Sequence, residues 1–258
     1  MDYLQKLAID AGKAIMEIYN ENNLIPTVKS DGSPLTRADQ AANNIICRGL
    51  KSKYPEIPII SEENKNVEWD IRKQWKRFWL VDPLDGTKEF IANDPDFTVN
   101  IALIEQRGAE WEPVLGIVYV PVTEELYYAE INNGAYKKVG NKIQRLQVSK
   151  YLPEEAGVRI VVSRSHINVK TEEYINGWAY PQIFRRGSSL KFLMIAEGNA
   201  DQYPRLGPTM EWDTAAAEII LRQAGGTVLD YVSDKKLLYN KPDLHNPYFI
   251  AKGQEYFN

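Results

Sequence analysis

The sequence predicts a mixed α/β fold, an α+β first half followed by an α/β second half. Three patterns carry that reading: helical apolar spacing from Leu4 to Leu50, closely spaced short strands between Phe97 and Tyr128, and strand–helix alternation after about Lys150. At 258 residues, with 44% apolar and 26% charged side chains, the composition is that of a globular protein. A chain of this length buries about 70–75% of its unfolded surface, enough for a core without disulfide staples.

Leu4, Leu7, Ala8, Ala11, Ile15 and Ile18 place a first helix up to about Tyr19. The polar stretch Lys29-Ser30-Asp31-Gly32-Ser33-Pro34 reads as an exposed loop. Thr36 can cap a second helix running to Lys53, stopped by Tyr54-Pro55. Ile57–Ile60 and Phe78–Val81 are short apolar strands, and hairpin strands follow at Thr98–Ile104, Val114–Val120 and Glu125–Ala129. The second half alternates: strand Arg159–Val162, helix Asn168–Asn176, strand Gln182–Phe184, helix Ser188–Ala196. A strand near Asp201–Tyr203, an Ala-rich helix Trp212–Gln223 and a strand Thr227–Leu229 complete it. The expected boundary divides residues 1–150, carrying most of the acids of interest, from residues 151–258.

Composition excludes several functions. A net charge of −4 provides no basic field for nucleic acid. The single cysteine, Cys47, reads as a small core residue in a reducing compartment. No apolar run approaches the roughly 20 residues that span a bilayer. Met1-Asp2-Tyr3 opens without a basic and apolar leader, so the expected location is cytoplasmic, with peripheral association at the inner membrane left open. The oligomeric state is not visible, and a monomer satisfies everything in the sequence. Trp69, Trp75 and Trp79 with Arg72, Lys73 and Arg77 read as packing with snorkelling cations.

The informative acids fall at strand ends. Glu62 and Glu63 follow one apolar strand; Asp82 and Asp85 follow another, in Asp82-Pro83-Leu84-Asp85-Gly86-Thr87. Proline restricts φ and glycine permits a tight reversal, so both carboxylates can converge with the Leu84 carbonyl between them. Such oxygen donors, with only His166 and His245 in the chain, suit Mg²⁺ or Mn²⁺ rather than zinc. An Asx-turn also accounts for Asp-x-x-Asp-Gly. Asp213 and Asp39, each in a first helical turn, can be helix caps or site residues.

Ser61-Glu62-Glu63, Asp82-Pro83-Leu84-Asp85-Gly86-Thr87 and Trp212-Asp213-Thr214-Ala215-Ala216 together resemble the motifs of lithium-sensitive, magnesium-dependent phosphatases of the inositol monophosphatase superfamily. The resemblance covers nearly the whole chain, in order. It implies a five-layer α-β-α-β-α sandwich and two magnesium ions. By that resemblance Glu62, Asp82 and the Leu84 carbonyl hold the first ion, and Asp82, Asp85 and Asp213 the second. Thr87, paired with Asp39, orients the attacking water; Glu62 counts among the catalytic groups. Lys29 and its loop resemble a segment that closes over the site and influences a third, weaker ion.

Substrate choice is expected in the second half. Gly187-Ser188-Ser189-Leu190-Lys191-Phe192 and Tyr203-Pro204-Arg205-Leu206-Gly207-Pro208 resemble the bacterial CysQ-type bisphosphate nucleotidases. Lys191 and Arg205 suit a second phosphate where inositol phosphatases typically carry an Asn and a Glu. The resemblance implies hydrolysis of 3'-phosphoadenosine 5'-phosphate in sulfate assimilation. Gly86, Thr87, Ser163, His166, Gly187, Ser188, Lys191, Arg205 and Asp213 are then substrate-binding candidates. An inositol or sugar phosphatase is the alternative, and a catalytically silent nucleotide sensor a third reading.

Overall fold

In the computed structural model, residues 1–21, 27–28, 34–65, 67–164 and 167–256 are described. Lys29 with its polar loop, and His166, lie outside them.

The buried stripe Leu4, Leu7, Ala8, Ala11 and Ile15 forms one face of helix α1 (Asp2–Tyr19), which packs against α2 (Arg37–Lys53). Thr36 caps α2 as the sequence predicts: its Oγ1 accepts from the Ala38 amide at 3.1 Å, and Asp39 Oδ2 accepts from the Thr36 amide at 2.7 Å. That reciprocal box ties Asp39 to the start of its helix. Two short strands, β1 (Thr27–Val28) and β2 (Pro34–Leu35), pair antiparallel before it.

A seven-stranded sheet follows in chain order: β3 (Ile59–Ser61), β4 (Arg77–Asp85), β5 (Thr98–Arg107), β6 (Glu110–Val120), β7 (Glu125–Glu130), β8 (Gly134–Val139) and β9 (Lys142–Arg145). Only β3 and β4 are parallel; the rest are the expected hairpins, extended by β8 and β9. Those last two strands escape sequence reading because their polar alternation carries no apolar signal. Between β3 and β4 lies the short helix α3 (Trp69–Arg72), and between β4 and β5 lies α4 (Thr87–Ile91).

The second half opens with β10 (Lys150–Tyr151) and β11 (Arg159–Ser163), then α5 (Val169–Asn176), β12 (Gln182–Arg186), α6 (Leu190–Ala196), β13 (Gln202–Arg205), α7 (Glu211–Gln223), β14 (Thr227–Asp230), β15 (Phe249–Lys252) and β16 (Gln254–Glu255). β10 pairs parallel with β16, and a five-stranded sheet runs β12-β11-β13-β15-β14. β15, absent from the sequence reading, inserts antiparallel between β13 and β14.

Side-chain alternation along β4 and β5 separates the layers. Trp79, Val81, Val99 and Ile101 face α1 and α2; Phe78, Leu80, Ala102 and Ile104 face α6, α7 and the second sheet. Ile160 and Val162 face the far side, with Ile167 and Ile175 beside α5. The order is helix, sheet, helix, sheet, helix, as the resemblance implied. Ala215, Ala216 and Ala217 let α7 lie close on β6, where a Cβ on Gly116 would stand 2.3 Å from the Ala216 carbonyl. This contact sets the depth at which Asp213 enters the middle layer.

Arg72 corrects one expectation. It does not snorkel: it is 2% exposed, stands over the Trp69 ring, and donates to Val67, Asn240, Lys241 and Pro242.

Candidate active site

The strand carrying the first acids does not stop at Val81, as its apolar run suggested. β4 continues to Asp85 through an irregularity in which Asp82 faces Asn100 and Asp85 faces Thr98. Three steps along β4 thus oppose two along β5, and such a bulge re-aims side chains. Gly86, at φ 95°, then turns the chain into α4. Beside this strand β3 ends at Ser61, whose hydroxyl donates to Asn43 on α2 at 2.7 Å, and Glu62 opens a short 3-10 turn. Asp213 enters from α7, where its Oδ2 accepts from the Met210 amide at 2.8 Å. The capping role foreseen for Asp213 is therefore real, and it coexists with a place among the other acids.

Glu62, Asp82, Asp85 and Asp213 act on one another electrostatically. Asp82, 1% exposed, has its carboxyl pushed well above the usual range by burial and then by Glu62, Asp85 and Asp213. Burial and Asp85 likewise raise Asp213. Repulsion of this kind, with oxygen donors only, is what a hard divalent cation relieves, so the residues fit magnesium. Among the described residues no three His, Cys, Asp or Glu side chains are drawn together closely enough to hold an ion as they stand. Asp85 Oδ2 accepts from Ser188 Oγ at 2.7 Å and from Ser189 Oγ at 2.9 Å.

Thr87 Oγ1 lies 3.2 Å from Asp39 Oδ1 and 3.2 Å from the Leu84 carbonyl. The pair expected from the motifs is therefore formed. Cys47, by contrast, donates to Asn43, and burial pushes its thiol up to about 11, which suits no nucleophile.

A cleft of about 600 Å³ opens beside these acids. Its walls include Asp85, Gly86, Ser163, Ser188, Lys191, Arg205 and Asp213, all foreseen. Gly187 lies just behind, where its amide donates to Asp96. Lys191 departs from expectation: it is 5% exposed, and its Nζ donates to the Ser188 carbonyl at 2.6 Å, over the ring of Tyr203. Burial pushes its ammonium down to about 8. Lys191 thus braces the Ser188 turn, while Arg205 keeps a buried Nε with no hydrogen-bond partner among the described residues. Nor does α6 begin at Ser188: the helix starts at Leu190, and Ser188 adopts φ 51° so that its hydroxyl reaches Asp85.

Sequence reasoning missed Asn100, which donates to Ser189 Oγ at 2.9 Å, as well as Thr98, Asp96 and the cleft residue Tyr203. Thr98 and Asn100 are polar residues on an otherwise apolar strand, a signal the hairpin pattern concealed.

The chain belongs to the inositol monophosphatase family, whose model matches residues 1–255. Fold and site together define this class. Within it the chain is 44% identical over 232 residues to the 3'(2'),5'-bisphosphate nucleotidase CysQ of Salmonella typhimurium, covering 90% of each chain. Its identity to the protein of the same name from Escherichia coli strain K12 is 43%, again over 90% of each. The crystal structure of CysQ from Bacteroides thetaiotaomicron superposes with a TM-score of 0.83 at 38% identity, covering 98% of this chain and 97% of that one.

Proposed function

We propose that the chain is a magnesium-dependent phosphatase that hydrolyses 3'-phosphoadenosine 5'-phosphate to AMP and phosphate, the reaction that clears a by-product of sulfate assimilation. The observation that carries this reading is the meeting of Glu62, Asp82, Asp85 and Asp213 beside a cleft that Arg205 lines. The CysQ relatives, named for this substrate class, support it.

Glu62, Asp82 and the Leu84 carbonyl would hold one ion, and Asp82, Asp85 and Asp213 a second. Bound magnesium supplies positive charge for the phosphoryl oxygens and makes water more acidic. Phosphate monoester hydrolysis is among the slowest uncatalysed reactions, so the protein's task is to place charge and water accurately. Thr87 accepts a hydrogen bond from the attacking water and directs its own proton to Asp39. Arg205, with its planar fork, meets the phosphate that is not cleaved. Ser163 adds a neutral donor along the cleft, while the Ser188 hydroxyl is given to Asp85. We read residues 1–150 and 151–258 as the two halves that meet at this cleft.

The test is phosphate release with magnesium from 3'-phosphoadenosine 5'-phosphate, inositol 1-phosphate and fructose 1,6-bisphosphate. Preference for the nucleotide, abolished by chelator, is expected. Preference for inositol 1-phosphate would keep the metal site and overturn the role of Arg205. Binding of the nucleotide without turnover would point to a sensor.

A further inference from the structure

The loop that carries Ser188 is held from the first half by a buried carboxylate that no motif includes. Asp96, 4% exposed, lies between α4 and β5. Its Oδ2 accepts from the Gly187 amide at 2.9 Å and from Arg164 Nη2 at 2.7 Å. Arg164 follows β11 in the second sheet, and its other terminal nitrogen donates to Asp94. Arg186 Nη1 stands 3.8 Å from Asp96 Oδ1. One residue from the first half therefore grips two segments of the second.

The backbone of Asp96 is as constrained as its side chain. A Cβ on Gly86 would meet the Asp96 carbonyl at 2.9 Å, and one on Gly187 would meet it at 2.7 Å. Both glycine turns, one leading out of Asp85 and the other into Ser188, close on the same carbonyl. Past Gly187 the chain takes the strained φ of Ser188, and the Ser188 and Ser189 hydroxyls reach Asp85 Oδ2. Left-handed backbone at a non-glycine residue persists only where surrounding contacts enforce it.

We propose that Asp96, with Arg164 as its counter-charge, is a positioning residue: by pinning the Gly187–Ser189 turn behind the cleft it orients the Asp85 carboxylate. This rests on the reading of Asp85 as a metal ligand. Losing a partner that orients a ligand typically weakens metal affinity or activity by about 10–100-fold. A purely structural pin would lower stability and leave metal affinity alone.

The experiment compares the full chain with Asp96→Ala, Asp96→Asn, Arg164→Ala and, as control, Asp85→Asn. Manganese affinity is measured by calorimetry, and amide hydrogen exchange at residues 186–189 is followed in metal-free protein. Asp96→Ala and Arg164→Ala should each weaken manganese binding by about tenfold and speed exchange at Gly187, and the double variant should do no more than either single one. Asp96→Asn keeps an acceptor for the Gly187 amide and should fall between them and the parent. Unchanged affinity alongside faster exchange would overturn the proposal, as would unchanged exchange. Unchanged manganese affinity in Asp85→Asn would instead overturn the ligand assignment beneath it.

Discussion

Thr87 and Asp39, one at the start of α4 and the other in the first turn of α2, meet with Oγ1 and Oδ1 3.2 Å apart. Asp39 holds this position because its second oxygen is already bound to the Thr36 amide and hydroxyl, at 2.7 and 2.6 Å. A helix cap therefore doubles as the acceptor that aims a hydroxyl. Thr87→Ala should lower kcat by about 10²–10⁴-fold, with Thr87→Ser recovering most of it and KM little changed. Asp39→Ala should lose activity and also about 0.5–2 kcal/mol of stability, because the cap goes with it. Steady-state kinetics and denaturant unfolding separate the two effects; a kcat drop below threefold for Thr87→Ala would remove Thr87 from the mechanism.

The carboxylate cluster predicts that function and stability pull apart. Asp82 is buried among like charges, so Asp82→Asn should raise Tm in chelator while abolishing phosphate release. Magnesium should raise the Tm of the parent chain, by the equivalent of about 2.7 kcal/mol at a hundred times Kd, and barely move the variant. Equal magnesium shifts in both would place the ions elsewhere.

Arg205 donates to the Pro208 carbonyl at 2.8 Å, which fixes its guanidinium in the cleft wall. Arg205→Lys keeps the charge and loses the fork. It should cut kcat/KM for the nucleotide bisphosphate by about tenfold, and Arg205→Glu by a further tenfold or so, while a simple monophosphate ester is affected less. An equal loss on both substrates would mean that Arg205 supports the fold rather than specificity.

Glu218, on α7, is 1% exposed; it accepts from the Tyr239 hydroxyl and lies 3.7 Å from Arg222. Burial pushes its carboxyl up to about 7 from an ordinary 4.5. Because the folded state binds this proton more tightly than the unfolded one, the stability it contributes is complete below about pH 4.5 and lost as pH rises through about 7. Glu218→Gln, neutral at every pH, should gain stability relative to the parent across that window and hold the gain above it. A difference in Tm that does not change between pH 4.5 and 7.5 would show that Glu218 is ionised throughout.

Much of this site was legible in the chain because its parts are local. Glu62, Asp82, Asp85 and Thr87 sit beside apolar strands, and Thr36 and Asp39 mark a helix start by spacing alone. Periodicity likewise determined α1, α2, α7 and the central hairpins, since burial of one face of a helix or strand needs only the repeat. What tertiary structure alone decided is where the halves touch. The approach of α7 to Gly116, the inward turn of Arg72 and the grip of Asp96 on Gly187 join residues far apart in sequence. Such pairings depend on how two sheets stack and on which buried charges find partners there. Those are energies of packing and desolvation, to which a local sequence pattern is blind.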